Sequence, residues 1–345
     1  MIQVLLKGGL GNQMFEYAYA LKVSQAHQNE KICLNGAFLK YLPDKRKIAL
    51  TNLELAEDTE VLPELFHPRT IFNSIQLIYK YLKIQDLSVV IGKIHYLINA
   101  WANNKKMRFL RVIGITSLFE FLNKSLSRRR ANQERSDYTK HCQQGMYHVK
   151  DCYEVPTVIT SNARNKYVWG LFQNVRILDG IEDELRKRFK VKMEASDANK
   201  ELLKEINSCN SVCLHIRRGD FLSPVYKETF YVCDEHYYAE AVRQAEELIE
   251  NPVFFCFSND HESIEWIKQN YRFPSIDIRY VDLNNPDYEE IRLMTACKHF
   301  IISNSTFSWW AAVLSDAHPQ KRVWAPKTWL KGSSVSLNMD SWTTL

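Results

Sequence analysis

The sequence predicts an α/β protein built on parallel β-sheets, and three observations support this prediction. Apolar runs that suit buried strands alternate with helical periodicity through the second half of the chain. The chain begins with an apolar strand, a glycine-rich loop and a helix, which is the order of a nucleotide-binding unit. Polar residues follow the strands at their carboxyl ends, where open α/β sheets bind ligands. The length of 345 residues favours two domains of ordinary size.

The opening unit is a strand at residues 2–6, the loop KGGLGNQ at residues 7–13 and a helix. Its glycines do not follow the dinucleotide pattern G-x-G-x-x-G, and the Gly-Lys-Ser/Thr of a P-loop is absent. Two interpretations remain open: the glycines let helix and sheet approach in a tight turn, or the loop faces a ligand. Asn12 and Gln13 favour the ligand, because two amides at a helix start can reach a polyhydroxylated substrate.

The remainder of the first half contains weaker strand predictions and one basic segment. Residues 31–34 and 48–55 are predicted as strands, the second of them short. Residues 62–135 hold thirteen Lys and Arg against four Asp and Glu, a net charge of +9 in a chain whose total is +5. Isoleucines at helical spacing predict a basic helical insertion here. Its charge is either a solvated face or a surface for anionic lipid or a charged glycan, and nucleic acid is not expected because no reader motif occurs.

The second half predicts a doubly wound parallel sheet, because strands and helices alternate at regular spacing. Two helices, at residues 176–190 and 198–207, precede it, and we place the domain boundary at residues 200/201. The two predicted domains are therefore residues 1–200 and 201–345. The predicted strands are residues 211–216, 253–257, 278–281, 299–302 and, as the last, 321–325. The predicted helices lie within residues 230–249 and at residues 263–271, 288–297 and 307–314.

The strand at residues 211–216 is the central feature, because it leads directly into two adjacent arginines. Arg217 and Arg218 would be costly to bury at a strand end unless an anion meets them. Gly219 then lets the backbone turn. A strand with cationic side chains at its carboxyl end predicts a phosphate site. The alternative is a structural ion pair between a buried arginine and Asp220.

Two other polar clusters would complete such a site. Ser305 and Thr306 start a helix and offer donors for a diphosphate, although either is also a good N-cap. Ser258, Asn259 and Asp260 offer an acceptor for base or ribose hydroxyls, although Asp260 could equally cap the next helix. No Asp-x-Asp, a common metal-binding pair in nucleotide-sugar enzymes, occurs. We therefore predict an enzyme in which arginines, without a metal, stabilise a departing nucleoside diphosphate, which indicates sugar transfer.

The cysteines and the first residues bear on the compartment. The eight cysteines contain no Cys-x-x-Cys pair, and residues 1–6 lack the features of a secretory leader. No apolar run has the length of a membrane span. We expect reduced, mostly buried thiols in a cytoplasmic protein, peripheral at the inner face of the plasma membrane if the basic segment binds lipid.

Four motifs together resemble bacterial α-1,2-fucosyltransferases of glycosyltransferase family 11. They are GGLGNQMF at residues 8–15, HIRRGD at residues 215–220, SNSTFSWWAA at residues 303–312, and YVWGLFQ at residues 167–173. The last is similar to a Gly-Tyr-Phe-Gln element of that family, with Leu171 where Tyr is frequent. The motifs occur in the order found in the family and cover the start, centre and near-end of the chain.

The resemblance implies a GT-B-like fold, in which two Rossmann-type domains face each other across a cleft. It implies transfer of fucose from GDP-fucose, held mainly by the C-terminal domain, to the 2-hydroxyl of a terminal galactose with inversion. The implied acceptor is a bacterial surface glycan such as O-antigen or capsule, and no obligatory metal or other cofactor is implied. Arg217, His215 and Asp220 are the implied catalytic group. The implied donor-binding residues are Arg217, Arg218, His215, Asn12, Gln13, Ser258, Asn259, Asp260, Asn304, Ser305, Thr306 and Phe307.

Some assignments remain open at this stage. No motif identifies the catalytic base, for which Asp220 and Glu16 are candidates. Two alternative functions fit the same motifs. A fucosyltransferase of α-1,6 or protein O-linked specificity would share the arginine motif. A catalytically silent scaffold that binds a GDP-sugar would share the binding residues.

Overall fold

The computed structural model describes residues 1–36, 39, 46–57, 59–62, 134–149, 151–222, 228–273 and 277–345. The side chains of residues 134–137, 220 and 222 are outside this description. The predicted basic insertion at residues 62–135 therefore lies outside the described residues except at its two ends.

The first sheet has five parallel strands in the order β3-β2-β1-β5-β4. Its central strand β1 is fully buried and pairs with β2 on one side and β5 on the other. Three helices of this half of the chain lie within the described residues. The strands are β1 Ile2–Leu5, β2 Ile32–Asn35, β3 Glu60–Leu62, β4 Met146–His148 and β5 Lys166–Trp169, and the helices are α1 Leu10–Ala26, α2 Glu134–Gln143 and α3 Glu182–Arg188.

The second sheet has six parallel strands in the order β11-β10-β9-β6-β7-β8. The arginine-bearing strand β6 is interior to this sheet, between β9 and β7. The strands are β6 Asn210–His215, β7 Pro252–Phe257, β8 Asp277–Tyr280, β9 His299–Ile301, β10 Val323–Ala325 and β11 Thr343–Thr344. The helices are α4 Asp197–Ser208, α5 Glu235–Leu248, α6 His261–Asn270, α7 Asp287–Ala296 and α8 Thr306–Leu314.

The two helices that meet between the sheets are α1 and α8, and they are unusually apolar. Thirteen of the 17 residues of α1 are buried, because the helix is covered by its own sheet and by α8 of the second half. Phe15 of α1 packs against Trp309 and Trp310 with ring centroids 4.8 Å away from each. Aromatic pairs of this kind contribute about 0.5–1.5 kcal/mol beyond the area they bury. One apolar core therefore runs through both halves.

This architecture confirms the predicted α/β, GT-B-like fold with two Rossmann-type sheets. The helix α1 follows β1 and the helix α8 follows β9, so the first turns of both helices lie at the carboxyl edges of their sheets. We call the contact between the first turns of α1 and α8 the seam. Because these turns meet there, the carboxyl edges of the two sheets, where open α/β sheets bind ligands, both face the seam. No helix in the described segments combines the length and apolarity that crossing a bilayer requires.

Several element predictions were wrong, each for a local reason. Residues 48–55 are not a strand: the 3-10 helix Ala49–Asn52 forms there, held by side-chain bonds from α1 described below. The helix predicted at residues 176–190 is divided into the 3-10 helix Val175–Leu178 and α3, because Gly180 between them has φ +76°. The strands β3, β4 and β5 were missed. β11 was also missed, so residues 321–325 do not form the last strand.

Candidate functional site

The site begins where the first turns of α1 and α8 touch, and Gly11 makes this contact possible. A Cβ atom at Gly11 would lie 2.7 Å from the backbone nitrogen of Phe307 and 2.8 Å from the carbonyl carbon of Thr306. The indole N–H of Trp310 donates to the carbonyl oxygen of Gly11 at 3.0 Å. The positive ends of two helix dipoles therefore meet at one point of the seam. Backbone N–H groups at such ends favour anions.

Asn12 joins three of the sequence motifs at this point. Its Oδ1 accepts hydrogen bonds from the Thr306 hydroxyl and from the Gln173 amide, both at 3.0 Å. Asn12 and Thr306 were predicted site residues on opposite sides of the cleft, and the structure brings them into direct contact. Gln173 was not a predicted site residue, although it ends the motif at residues 167–173. Because Asn12 and Thr306 are both half-buried, their side chains line the seam.

Gln13 has a different position from the one expected of a ligand-facing amide. Its side chain is fully buried, and its Nε2 donates to the carbonyl oxygens of Gly8 at 3.0 Å and Lys47 at 2.9 Å. Its Oε1 accepts from the backbone N–H of Ala49 at 2.9 Å. Gln13 therefore ties the glycine loop to residues 46–49. Gly8, with φ +68°, supplies the tight turn of that loop.

We expect Gln13→Leu to lower the free energy of unfolding by about 2–4 kcal/mol, because three partly buried backbone groups lose their bonds to this buried amide. Urea unfolding followed by circular dichroism measures this change. Gln143→Leu is the matched control, since Gln143 is an exposed glutamine at the end of α2. Equal stability of the two variants would contradict the role given to Gln13.

His215 ends β6 as a buried and neutral side chain. It is 3% exposed, its Nδ1 lies 2.9 Å from the Ser303 hydroxyl, and its ring centroid is 6.3 Å from that of Phe307. Burial lowers the pKa of His215 to about 3, and the nearby charge of Arg217 lowers it further in the same direction. The imidazole can thus take part in hydrogen bonds beside the seam without adding a positive charge.

The lowered pKa of His215 predicts an acid-sensitive contribution to stability. Between pH 6.5 and about 3, the unfolded chain binds a proton here that the folded chain does not, so stability falls as pH falls. We expect the stability advantage of the wild type over His215→Asn to shrink by about 2 kcal/mol between pH 7.5 and 5. Urea unfolding at several pH values tests this. His299, whose pKa is lowered to about 4 by burial, also makes stability fall as pH falls. This effect is the same in both proteins, so it cancels in the difference between them. A difference that is constant with pH would contradict the prediction.

The two adjacent arginines separate in space. Arg217 is half-buried, its guanidinium lies 5.5 Å from the ring centroid of Phe221, and its charge acts on His215. Arg218 instead stacks on Trp266 of α6, with its Cζ 3.2 Å from the ring centroid. The expected pair of cations is therefore divided, and Arg217 is the one beside His215.

Most of the remaining predicted donor residues support the backbone of the site. The Asn259 Oδ1 accepts from the backbone N–H of Arg218 at 3.0 Å, and the Ser258 hydroxyl donates to the carbonyl of Ile216 at 2.8 Å. A Cβ at Gly219 would lie 2.8 Å from the Asn259 amide carbon, so this turn is tightly packed.

Asn304 and two N-cap residues also support the chain. The Asn304 amide donates to the carbonyls of Tyr231 at 2.7 Å and Trp329 at 2.8 Å. Asp260 caps α6 and Ser305 caps α8, which are the cap roles that the sequence left open. Phe307, in the first turn of α8, is half-buried beside His215.

The two candidate bases are not equivalent. The backbone of Asp220 belongs to the 3-10 helix Gly219–Leu222, while its side chain lies outside the described residues. Glu16 is 1% exposed and accepts from the backbone N–H of Lys7 at 2.8 Å, while its Oε1 has no hydrogen-bond partner. Burial raises the pKa of Glu16 well above its usual value, although the Lys7 charge opposes this. Burial therefore disfavours the charged form of Glu16, which lies behind the glycine loop.

Sequence reasoning missed Arg46. Its guanidinium packs directly on Gly9, the N-cap residue of α1, where any side chain at position 9 would collide with it. The sequence around residue 46 does not predict this contact, because Arg46 lies in a short basic run of the kind that is usually exposed to solvent.

Within the described ranges, one group of side chains has the composition of a metal site. His261 and Glu265 lie one turn apart on α6, and Asp282 follows β8, with their candidate ligand atoms all within 4.8 Å of one another. The His261 Nδ1 already contacts the Asp282 carboxylate at 2.5 Å. Because His261 and Asp282 already satisfy each other, a metal is not needed to explain this arrangement.

The chain matches a known protein family over the region that contains β6 and α8. The family model described as "Glycosyl transferase family 11" matches residues 118–331, which is more than half of the chain. The chain belongs to this family. The match includes β6 with its arginines and α8 with its preceding loop, so the residues at the C-terminal side of the seam lie within the family region.

Three curated proteins illustrate what this family 11 chain is similar to. An α-1,2-colitosyltransferase of Escherichia coli is 39% identical over 171 residues, covering 48% of this chain and 57% of that protein. The O-antigen biosynthesis glycosyltransferase WbnK of Escherichia coli is 25% identical over 99% of both chains. The human galactoside α-(1,2)-fucosyltransferase 1 is 31% identical over 107 residues, covering 30% of this chain and 28% of that protein. The chain thus belongs to a glycosyltransferase family, and its match spans just over half of the first relative's length.

Proposed function

We propose that this enzyme transfers L-fucose from GDP-fucose to the 2-hydroxyl of a terminal galactose in a bacterial surface glycan. The observation that carries the proposal is the meeting of the α1 and α8 first turns, with His215 near Phe307 of α8 and Arg217 two residues after His215. Two helix N-termini and a guanidinium form a site for a multiply charged anion such as a diphosphate. The proposed reaction inverts the anomeric centre and has no obligatory metal.

The proposed chemistry is a displacement at the anomeric carbon with an oxocarbenium-like transition state. The bond from that carbon to the diphosphate oxygen breaks while the acceptor oxygen attacks from the opposite face and loses its proton. Negative charge develops on the departing diphosphate, where Arg217 and the N–H groups of α8 would stabilise it. Their positions are set by the fold before substrate binds, so little reorganisation is needed.

Other residues would orient the donor and acceptor. Neutral His215, fixed by Ser303, would hydrogen-bond the donor without competing for its phosphates. Asn12 and Thr306, joined across the seam, would hold the two domains at the distance that the donor requires. Asp220 remains the proposed base, because Glu16 is 1% exposed and accepts a hydrogen bond from the backbone N–H of Lys7.

The names of the relatives support the proposed linkage and acceptor. Two of the three carry the α-1,2 linkage in their names, one acts on galactosides, and one is named for O-antigen biosynthesis. The 39% identity to the colitosyltransferase supports a second candidate, colitosyl transfer in the same linkage. The two candidates share the site and differ in the sugar that it accepts.

A donor and acceptor panel tests the proposal. Purified protein is incubated with GDP-fucose, GDP-mannose or nucleotide-activated colitose and with β-galactosides, with and without EDTA. We expect a fucosylated galactoside by mass, α-1,2 linkage by product analysis, and an unchanged rate in EDTA. A colitosyl product alone would favour the second candidate, and an α-1,6 or peptide-linked product would reject the linkage. GDP binding without transfer or hydrolysis would identify a scaffold.

We further propose a cytoplasmic enzyme with peripheral membrane contact through residues 62–135. The support is the charge of that segment, +9 from its composition. Charge reversal of Arg128, Arg129 and Arg130 should abolish sedimentation with anionic liposomes. Undiminished sedimentation of the variant would refute the contact.

A further inference from the structure

The guanidinium of Arg217 lies next to an aromatic pair formed by Phe221 and Phe230. Its Cζ is 5.5 Å from the ring centroid of Phe221. The Phe221 ring is stacked on the Phe230 ring, with the two centroids 4.5 Å apart and the ring planes 10° from parallel. A guanidinium at this distance is attracted by the face of an aromatic ring, so the position of the pair helps to set the position of the guanidinium.

The backbone of Arg217 is held on both sides by side chains from the turn after β7. The Ser258 hydroxyl donates to the carbonyl of Ile216 at 2.8 Å, and the Asn259 Oδ1 accepts from the backbone N–H of Arg218 at 3.0 Å. These two bonds fix the peptide groups before and after Arg217. The freedom that remains to Arg217 is in its side chain, which is the part that the aromatic pair contacts.

Phe230 is joined to the loop before α8 through a second stretch of the chain. Residues 229–231 run antiparallel to residues 329–331, with Phe230 opposite Leu330 and backbone hydrogen bonds of 3.0 and 3.4 Å on either side. Asn304 is 4% exposed, and its amide donates to one carbonyl in each stretch, at 2.7 and 2.8 Å. Because Asn304 lies two residues before α8 begins, this buried amide links the position of Phe230 to the first turn of α8.

The aromatic pair lies outside the large apolar cores. Neither of the two cores that the described residues form includes Phe221 or Phe230. Phe221 is nevertheless only 8% exposed, and Phe230 is half-buried. The pair therefore contributes little to the packing of the sheets and helices, and its contact with a charged side chain of the site indicates another use.

We propose that Phe230 is a positioning residue for glycosyl transfer. It backs Phe221, and the pair fixes the guanidinium of Arg217 relative to the first turn of α8. This inference rests on the proposed function, because it assumes that Arg217 contacts the departing diphosphate. Phe230 itself touches no reacting atom in this scheme and acts only through Arg217.

The first test measures kcat and the acceptor KM with GDP-fucose for wild type, Phe230→Leu and Phe230→Tyr. We expect Phe230→Leu to lower kcat about tenfold, because a displaced guanidinium stabilises less of the charge that develops on the leaving group. The acceptor KM should stay within about threefold of wild type, since the acceptor does not contact this pair. Phe230→Tyr keeps the ring and should retain kcat within about threefold. Phe273→Leu is the matched control, because Phe273 is also half-buried and packs on Tyr271 instead, and it should stay within about twofold.

A double-mutant cycle decides whether Phe230 acts through Arg217. In an Arg217→Ala background, Phe230→Leu should lower the rate by less than about a further twofold, because the guanidinium that it positions is gone. An equal loss in both backgrounds would show a general structural role and overturn the inference. A wild-type kcat in Phe230→Leu would overturn it as well.

These outcomes are distinct from a failure of the proposed function. If Arg217→Ala transfers fucose at the wild-type rate, the proposed mechanism fails and the inference fails with it. If Arg217→Ala is impaired while Phe230→Leu causes the same loss with and without Arg217, only the inference fails. Thermal melting shows whether each variant is folded. If Phe230→Leu is not, Phe230→Met, whose flexible apolar side chain fills space without a ring, takes its place in the cycle.

Discussion

Gly11→Ala should destabilise the protein by about 1–3 kcal/mol and reduce glycosyl transfer more than tenfold. The added methyl would meet the backbone of α8 at 2.7–2.8 Å, and backbone atoms cannot rotate away as a side chain can. The first turns of α1 and α8 must therefore separate. The gain of about 1 kcal/mol that alanine brings to a helix interior is too small to cancel this collision. Because the proposed diphosphate site is formed by that contact, activity should fall further than stability does.

Gly9→Ala provides the matched control. Both glycines lie at the start of α1 with φ outside the left-handed region, but a methyl at position 9 meets the far end of the Arg46 side chain, which can move. We expect a cost of under about 1 kcal/mol in urea unfolding. Equal destabilisation by the two substitutions would show that the close approach of α8 is not the reason why position 11 requires glycine. Transfer rates measured below saturation at a temperature where both variants are folded complete the comparison.

Arg217→Ala should lower the rate of transfer by a few hundredfold, equivalent to about 2.7–4 kcal/mol in the barrier. Arg217 lies two residues after His215, whose ring is near Phe307 in the first turn of α8, and the charge of Arg217 acts on His215. The leaving group is proposed to gain charge in this region. Since Arg217 is half-buried, its contribution should persist at salt concentrations that weaken exposed charges. The measurement is the initial rate of product formation at saturating acceptor.

Arg176→Ala controls for the loss of a positive charge, because its side chain is 70% exposed and pairs only loosely with Asp179 at 3.8 Å. That variant should keep its rate within about twofold. Arg217→Lys retains the charge without the planar fork and should fall between the two. A variant Arg217→Ala with an undiminished rate would remove the main support for the proposed mechanism.

The separation of Arg217 from Arg218 shows a limit of reading a motif. Adjacent residues at a strand end leave in opposite directions, so one of them was bound to face away from a site on the other's side. The sequence could not say which, because that depends on Trp266, which lies on α6 some fifty residues later. The same limit applies to Gln13 and Asn12, which are adjacent on α1. Asn12 faces the second domain, and Gln13 turns back to bond residues 47 and 49.

The sequence was sufficient to predict the α/β class, most strands and helices of the second half, and the position of the polar motifs at strand ends. These features depend on hydrophobic periodicity and on turn residues, which are local in the chain. The tertiary structure alone decided that Gly11 is required by contact with α8, that Asn12 meets Thr306, and that Arg46 lies on Gly9. These contacts join residues up to 299 positions apart, and their geometry is set by the packing of two sheets through one shared core. Local sequence patterns do not contain this information, because each contact joins residues that are far apart in the sequence and meet only in the folded protein.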